Sequence, residues 1–359
     1  MKNSPDDYRE EIEEDLPFLE NPIGNRENLG KETSLEPRHF VVSADASTNR
    51  LDKVLSELIP EVSRARVQEW IRNGAVSVNG EVVSDVRAKT GATDAIDVTP
   101  MPSAEECAFE PEADIDFRVV YEDDAVIIID KPAGLVVHPA AGHWSGTLLN
   151  GLLYRYPELR SVSRAGIVHR LDRETSGLMV VARTEEARTA LVRDLQTHAV
   201  CREYWAIVLG IPPEKGFVDT PIGRDPRNPI RFSCRGIAAK PAKTHVRLVE
   251  TTYVANRALS WVACRLETGR THQIRVHLTS VGLPLLGDPL YRTNASKLPE
   301  EAGLAAKFSR QALHASRLMF THPVTGKTVG WFAPPPEDMC EVMEELQFTP
   351  TDEPVHVFD

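Results

Sequence analysis

Leu51, Val54, Leu55, Leu58 and Ile59 succeed one another at i, i+3, i+4, i+7 and i+8, the spacing that lines one face of an α-helix with apolar side chains. A second short helix is predicted from Ser63, whose hydroxyl suits an N-cap, to Gly74 at the C-terminal end. It buries Val67, Trp70 and Ile71, and at about 100° per residue Arg64, Gln68 and Arg72 share a stripe that this apolar face leaves free. Two arginines flanking a long amide suit a phosphate backbone. The stretch AVSVNGEVV then alternates apolar and polar residues around Asn79-Gly80, a hairpin signal. Two helices and a hairpin within residues 40–100 predict a small accessory domain, followed by a Pro-, Ala- and Glu-rich linker over 101–114.

Residues 115–340 read as a larger domain of strands with a few helices inserted. AVIIID, GLMVVA, YWAIVLG, KTHVRLVE, LSWVACRLE and RLMFTH are mostly rich in β-branched residues and predict strands. TEEARTALVRDLQTHA predicts a helix from a Thr184 cap with Leu191 and Leu195 on one face. THQIRVHLTSVG predicts another after a Thr271 cap, with Ile274, His277, Leu278 and Val281 at helical spacing. The expected class is α+β: a mixed, mainly antiparallel sheet with flanking helices, joined to a small N-terminal α/β domain.

Charge changes this picture at the ends. Residues 1–39 hold eleven acids against five bases and no helical periodicity, which predicts a disordered arm. The net charge of −12 argues against a nucleic-acid partner until its distribution is considered. Residues 334–359 hold eight acids and no base, whereas residues 40–333 hold 34 acids and 36 bases, so the body is free to carry a basic face. Residues 341–359 are expected to form an acidic tail. The N-terminus lacks the apolar core of a signal peptide, and no apolar run approaches the roughly 18 residues of a membrane span. A cytoplasmic protein with no membrane partner is expected. The five cysteines are scattered without a CxxC pair, which predicts reduced thiols rather than a disulfide framework or a zinc site.

The segment AGIVHRLDRETSGLMVVA carries the chemistry. An apolar run is interrupted by His169, Arg170, Leu171 and Asp172, then by the turn Thr175-Ser176-Gly177, before a second apolar run. Polar groups between buried strands are costly unless satisfied or used, so Asp172 is expected at the mouth of a cleft. By itself an Asp at such a junction is more often a turn cap.

HRLDRETSGL resembles the catalytic signature of the RluA/RluD family of pseudouridine synthases. The likeness runs from about residue 45 to residue 340 through DKPAGLVVHP, REYWAIVLG, LETGRTHQIRVH, LLGDPLY and RQALHA. RLDKVLSELIPEVSRARVQEWIRNGAVSVNG resembles an S4-type RNA-binding domain. The resemblance implies the pseudouridine synthase fold and the isomerisation of uridine in structured RNA. It assigns Asp172 as the catalytic aspartate, attacking ribose C1′ or abstracting a sugar proton, and Arg275 as its ionic partner. It places Tyr204 beside the target uracil, stacking on the base and assisting proton removal from C5, and Arg170 near the flipped nucleotide. An arginine suits Asp172, because burial alone would protonate the carboxylate and guanidinium cannot lose its own proton.

The uracil leaves N1 and rejoins the same sugar through C5, so no cofactor is expected. Nor is a metal, since His272 and His277 are five apart, about 140° around a helix. The segment GRDPRNPIRFSCRGIAAKPAK resembles a family loop, and Arg224, Arg231 and Lys240 within it are expected phosphate contacts. Two positions depart from the family: Arg202 where Lys is common, and Arg292 where GDPxYG ends in glycine. The implied partner is a stem-loop of large-subunit ribosomal RNA, free or within a pre-ribosomal particle, bound by a monomer. The rival readings are an S4-domain assembly factor without turnover, and a carboxylate-dependent glycosidase or nucleosidase, which would need a second acid that no motif supplies.

Overall fold

The structure, a computed structural model, describes residues 36–44, 50–102, 107–140, 143–228, 230–349 and 358. The expected disordered arm lies outside the described residues up to 35. The described residues form two compact units, one ending at Glu110 and one beginning at Pro111.

In the first unit the expected helices are α1 (Leu51–Leu58) and α2 (Arg64–Arg72), with the Ser63 hydroxyl accepting from Arg66 N. Asn79 and Gly80 both take positive φ, 52° and 85°, as a two-residue hairpin turn requires. The full sheet has four antiparallel strands: β1 (Arg38–Val41), β2 (Val76–Val78), β3 (Glu81–Val82) and β4 (Ala95–Val98), in the order β1-β4-β2-β3. Arg38 and His39, expected within the arm, belong to β1, because pairing with β4 satisfies their backbone. Leu51, Leu55, Val67, Trp70, Ile71 and Ile96 fill the core between helices and sheet.

Asp52 is fully buried on α1. Arg50, Arg64 and Gln68 all donate to its carboxylate, at 2.6–3.2 Å. Burial pushes the carboxyl up, yet these hydrogen bonds outweigh it and hold the pKa down at about 2. A depressed carboxyl stabilises the fold above its unfolded pKa, near 3.8, and that stability is lost as pH falls towards 2. Asp52→Ala is expected to cost about 2 kcal/mol at neutral pH and to flatten the acid limb of stability between pH ~4 and ~2. Thermal unfolding across that range checks it, and an unshifted melting temperature would refute it.

The second unit is built on a nine-stranded sheet. Its strands are β5 (Arg118–Glu122), β6 (Val126–Lys131), β7 (Ser176–Ala182), β8 (Cys201–Leu209), β9 (Lys215–Asp219), β13 (Lys243–Val254), β14 (Arg257–Leu266), β15 (Leu313–Thr321) and β16 (Thr328–Phe332). Their order is β5-β6-β7-β15-β8-β14-β13-β9, with β16 also pairing β15. Only β7 and β15 run parallel, so the sheet is mixed and mainly antiparallel. Gly177 sits where that parallel pair begins; its φ is 114°, and a Cβ would stand 2.4 Å from the Ala315 carbonyl oxygen. No other residue fits there. Between β9 and β13, β10 (Ile222–Arg224), β11 (Phe232–Ser233) and β12 (Ile237–Lys240) form a separate three-stranded sheet, so the segment expected to be a loop is ordered by backbone pairing.

Among the described residues five helices flank the strands: α3 (Leu148–Arg155), α4 (Glu185–Gln196), α5 (Gln273–Ser280), α6 (Gly303–Lys307) and α7 (Glu337–Glu345). Thr184 caps α4 as expected, accepting from Ala187 N. Thr271 does not cap α5. That position belongs to His272, held left-handed at φ 58° and ψ 20°, while Gln273 Oε1 accepts the N–H of Arg270. Val281, expected on the apolar face of α5, lies past its end and is exposed. The acidic segment from 341 starts inside α7, where Met339, Val342, Met343 and Leu346 keep helical spacing and enter the core. Residues 350–357 and 359 of the expected tail lie outside the described residues. No helix among the described residues is long and apolar enough to cross a membrane.

Candidate active site

Asp172 lies in the connection between an isolated bridge at Ile167 and β7, and its carbonyl accepts from Thr175 N at 3.0 Å. Buried Lys131, at the end of β6, fixes the far side of this connection by donating to the carbonyls of Pro132, Leu135 and Arg173. Burial lowers the Lys131 ammonium to about 7.

α5 brings Arg275 to Asp172 across 103 residues of sequence, with Nη1 donating to Oδ2 at 2.8 Å. The rest of the guanidinium is occupied by Asp288, which takes Nε at 2.8 Å and Nη2 at 3.0 Å. Asp288 also accepts from the backbone N–H groups of Leu290 and Tyr291. The order Asp172–Arg275–Asp288 makes a buried acid–base–acid line that fixes the arginine in one orientation.

Burial by itself would raise the Asp172 carboxyl. The nearby charges of His272, Arg275 and Arg170 and the hydrogen bond from Arg275 prevail, leaving it below the usual carboxylate range. His272 is itself pushed below its ordinary value by burial, against the charge of Asp172, which raises it. Arg275 moves the other way: burial lowers it, but Asp288 and Asp172 raise it further. Asp172 therefore stands ionised in an apolar wall that includes Val168, Leu171, Ile274 and Leu313.

His272 is oriented from behind. The Tyr291 hydroxyl accepts from Phe232 N at 2.9 Å and lies 2.8 Å from His272 Nδ1. With its acceptor side taken by the amide, the phenol gives its proton to Nδ1, which leaves the imidazole proton on Nε2. That Nε2 faces Asp172 Oδ1 at 3.9 Å, beyond hydrogen-bonding reach. Oδ2 is held by Arg275 and Oδ1 is open to the pocket.

Tyr204 on β8 lines the same pocket and is buried. Burial and the charge of Asp172 push its phenol up, against Arg202, which lowers it. Its hydroxyl is neutral at rest. Arg170 is exposed at the pocket. Asp172, Tyr204, Arg275 and Arg170 are thus gathered at one site. Arg224 and Lys240 belong to the small sheet and Arg231 immediately precedes β11; the Arg231 guanidinium stands 5.1 Å over the Tyr291 ring and Arg224 5.3 Å over Phe232. In the other unit, Arg64 and Gln68 are anchored to Asp52 and Arg72 donates to Gln68 Oε1. Two of the three residues in the expected phosphate-binding stripe therefore also brace α1 against α2.

Lys131, Asp288 and His272 were not singled out as site residues from sequence. Lys131 and Asp288 sit in the Pro- and Gly-containing motifs DKPAG and GDPLY, where an ionic residue beside a turn was the available signal. Arg292, which replaces the family glycine, has no left-handed backbone and donates Nε to the Asp288 carbonyl, so the turn is intact.

Residues 125–280 match the family described as RNA pseudouridylate synthase, and residues 49–96 match the S4 domain. Ribosomal large subunit pseudouridine synthase D of Neisseria meningitidis (serogroup A, strain Z2491) is 49% identical over 310 residues, covering 86% of this chain and 81% of the relative. The protein of the same description from Escherichia coli (strain K12) is 45% identical over 310 residues, covering 85% and 93%. Among solved structures, human RNA Pseudouridylate Synthase Domain Containing 4 superposes with a TM-score of 0.51 at 24% identity, over 64% of this chain and 92% of that one. That likeness speaks to the fold.

Proposed function

Because this chain belongs to the ribosomal large subunit pseudouridine synthase D family, we propose that it isomerises selected uridines of large-subunit ribosomal RNA to pseudouridine, with Asp172 as the catalytic group. The observation that carries this reading is the Asp172 carboxylate, kept ionised by Arg275 with Oδ1 facing an apolar pocket beside Tyr204. An anion so placed can attack ribose C1′ or take a proton from the sugar. A neutral carboxyl can do neither.

Tyr204 offers the face of its ring to the uracil. As its phenol is neutral, it accepts the C5 proton only by passing on its own, whereas stacking needs no such transfer. A base within a stem must leave the stack to reach Asp172, at a cost of a few kcal/mol, and Arg170 is placed to fill the gap it leaves. The S4 unit and the small sheet with Arg224, Arg231 and Lys240 supply sequence-independent phosphate contacts. The substrate in this reading is a stem-loop, free or in a pre-ribosomal particle, and the enzyme acts as a monomer in the cytoplasm.

Large-subunit ribosomal RNA from cells lacking this protein, incubated with it and mapped chemically, is expected to gain pseudouridine at a few discrete positions. A map with no new pseudouridine, on naked RNA and on ribosomal particles alike, would end this reading.

A further inference from the structure

Arg202 and Tyr204 stand two residues apart on β8, so both side chains leave the same face of the strand, the face that lines the pocket. Arg202 is only 7% exposed. Its Nε has no hydrogen-bond partner among the described residues, and Nη2 reaches the Glu267 carbonyl only at 3.5 Å. No carboxylate of the described residues forms an ion pair with it. The arrangement is unlike that of Arg275, whose guanidinium is shared between Asp172 and Asp288. A buried guanidinium with no anion is costly, yet the chain makes room for this one. A Cβ on Gly269 would stand 2.6 Å from Arg202 Nη1, so the glycine of LETGRTH is what admits the head group.

An anion that enters with the substrate would resolve that cost, and isomerisation generates one inside the pocket. When the C1′–N1 bond breaks, its electron pair stays on the base and spreads over N1, O2 and O4. We propose that the Arg202 guanidinium binds this detached uracil anion through its oxygen atoms and retains it against Tyr204 while it turns to present C5. The proposal rests on the synthase reading above. C1′ is meanwhile satisfied by the Asp172 carboxylate, or by loss of the C2′ proton to it. The N1 pair then moves into the N1–C6 bond as the C5–C6 π pair forms the C5–C1′ bond. Asp172 is released, or returns the proton to C2′; C5 loses its proton and N1 gains one, so the product is an isomer of the substrate. A backbone phosphate is the weaker candidate for this cation, since it stays at the rim, where Arg170 is exposed.

The test compares Arg202→Gln with wild type under single turnover on an unmodified large-subunit ribosomal RNA transcript, and on the same transcript made with 5-fluorouridine. Fluorine stabilises the departing uracil anion, so the guanidinium matters less. Arg202→Gln is expected to slow pseudouridine formation roughly a hundredfold at unchanged RNA affinity, with Arg202→Lys recovering most of the loss. On the fluorinated RNA, glycosidic cleavage should show a defect smaller by about tenfold. Each comparison is made within one protein preparation, so partial unfolding cannot imitate the difference. Gly269→Ala, which crowds the head group, should behave like Arg202→Gln. Equal slowing on both RNAs, or none, overturns the role of Arg202 while leaving the synthase intact; a wild-type protein that makes no pseudouridine overturns the reading beneath it and this one together.

Discussion

Asp172→Asn is expected to abolish pseudouridine formation, a loss of at least about 10⁴-fold under single turnover. The amide is nearly isosteric, and its oxygen can still accept from Arg275 Nη1, so the pocket keeps its shape. What disappears is the lone pair of an ionised oxygen facing the substrate, because an amide is neither a useful nucleophile at C1′ nor a base for a sugar proton. RNA affinity should hold or tighten slightly, as one negative charge leaves the binding face. Rates read by chemical mapping, together with filter-binding affinities, check both halves. Residual turnover within tenfold of wild type would remove Asp172 from the mechanism.

Arg275→Met is expected to cost about 10³-fold at neutral pH, and the loss should be pH-dependent in a definite direction. In the native site, burial raises the Asp172 carboxyl and the neighbouring cations lower it, with a net lowering. Removal of Arg275 takes away one of those cations and its hydrogen bond, leaving burial opposed by His272 and Arg170, so the folded pKa moves up and a larger share of Asp172 is protonated and idle at a given pH. The variant's rate should therefore climb with pH, by up to tenfold per unit. The wild-type rate should be flat above the usual carboxylate range and fall only in acid. Asp288, almost fully buried and taking two bonds from Arg275, would lose its counter-ion as well. Leaving such a charge unpaired costs about 3–5 kcal/mol, visible as a lower melting temperature. Arg275→Lys separates charge from geometry: it keeps the cation but not the fork that serves two carboxylates. A variant with wild-type rate and a flat pH profile would show that Asp172 does not depend on this partner.

Both expectations follow from positions readable in the chain, but not to the same degree. HRLD between two apolar runs marked Asp172, and HQIRVH marked Arg275 only through family resemblance. Nothing in the residues around Arg275 signals that a side chain 103 positions away is its partner. Arg202 illustrates the point differently: as a letter it is one more basic residue, and its meaning comes from being buried beside Tyr204 with Gly269 opposite.

What the sequence determined by itself is short in range. The spacing of Leu51, Val54 and Leu55, the Asn79-Gly80 turn, the Ser63 and Thr184 caps and the β-branched runs fix helices, a hairpin and strands, because those preferences act within a few residues. Tertiary structure decided which ends meet. The strand order β7-β15-β8-β14 brings the Asp172 turn beside Tyr204 and Arg202, and the packing of α5 carries Arg275 to close the pocket. Those placements depend on pairings between distant segments and on burial, which reverses the ordinary balance of charge and solvent at each ionisable group. Periodicity along the chain has no means of encoding either.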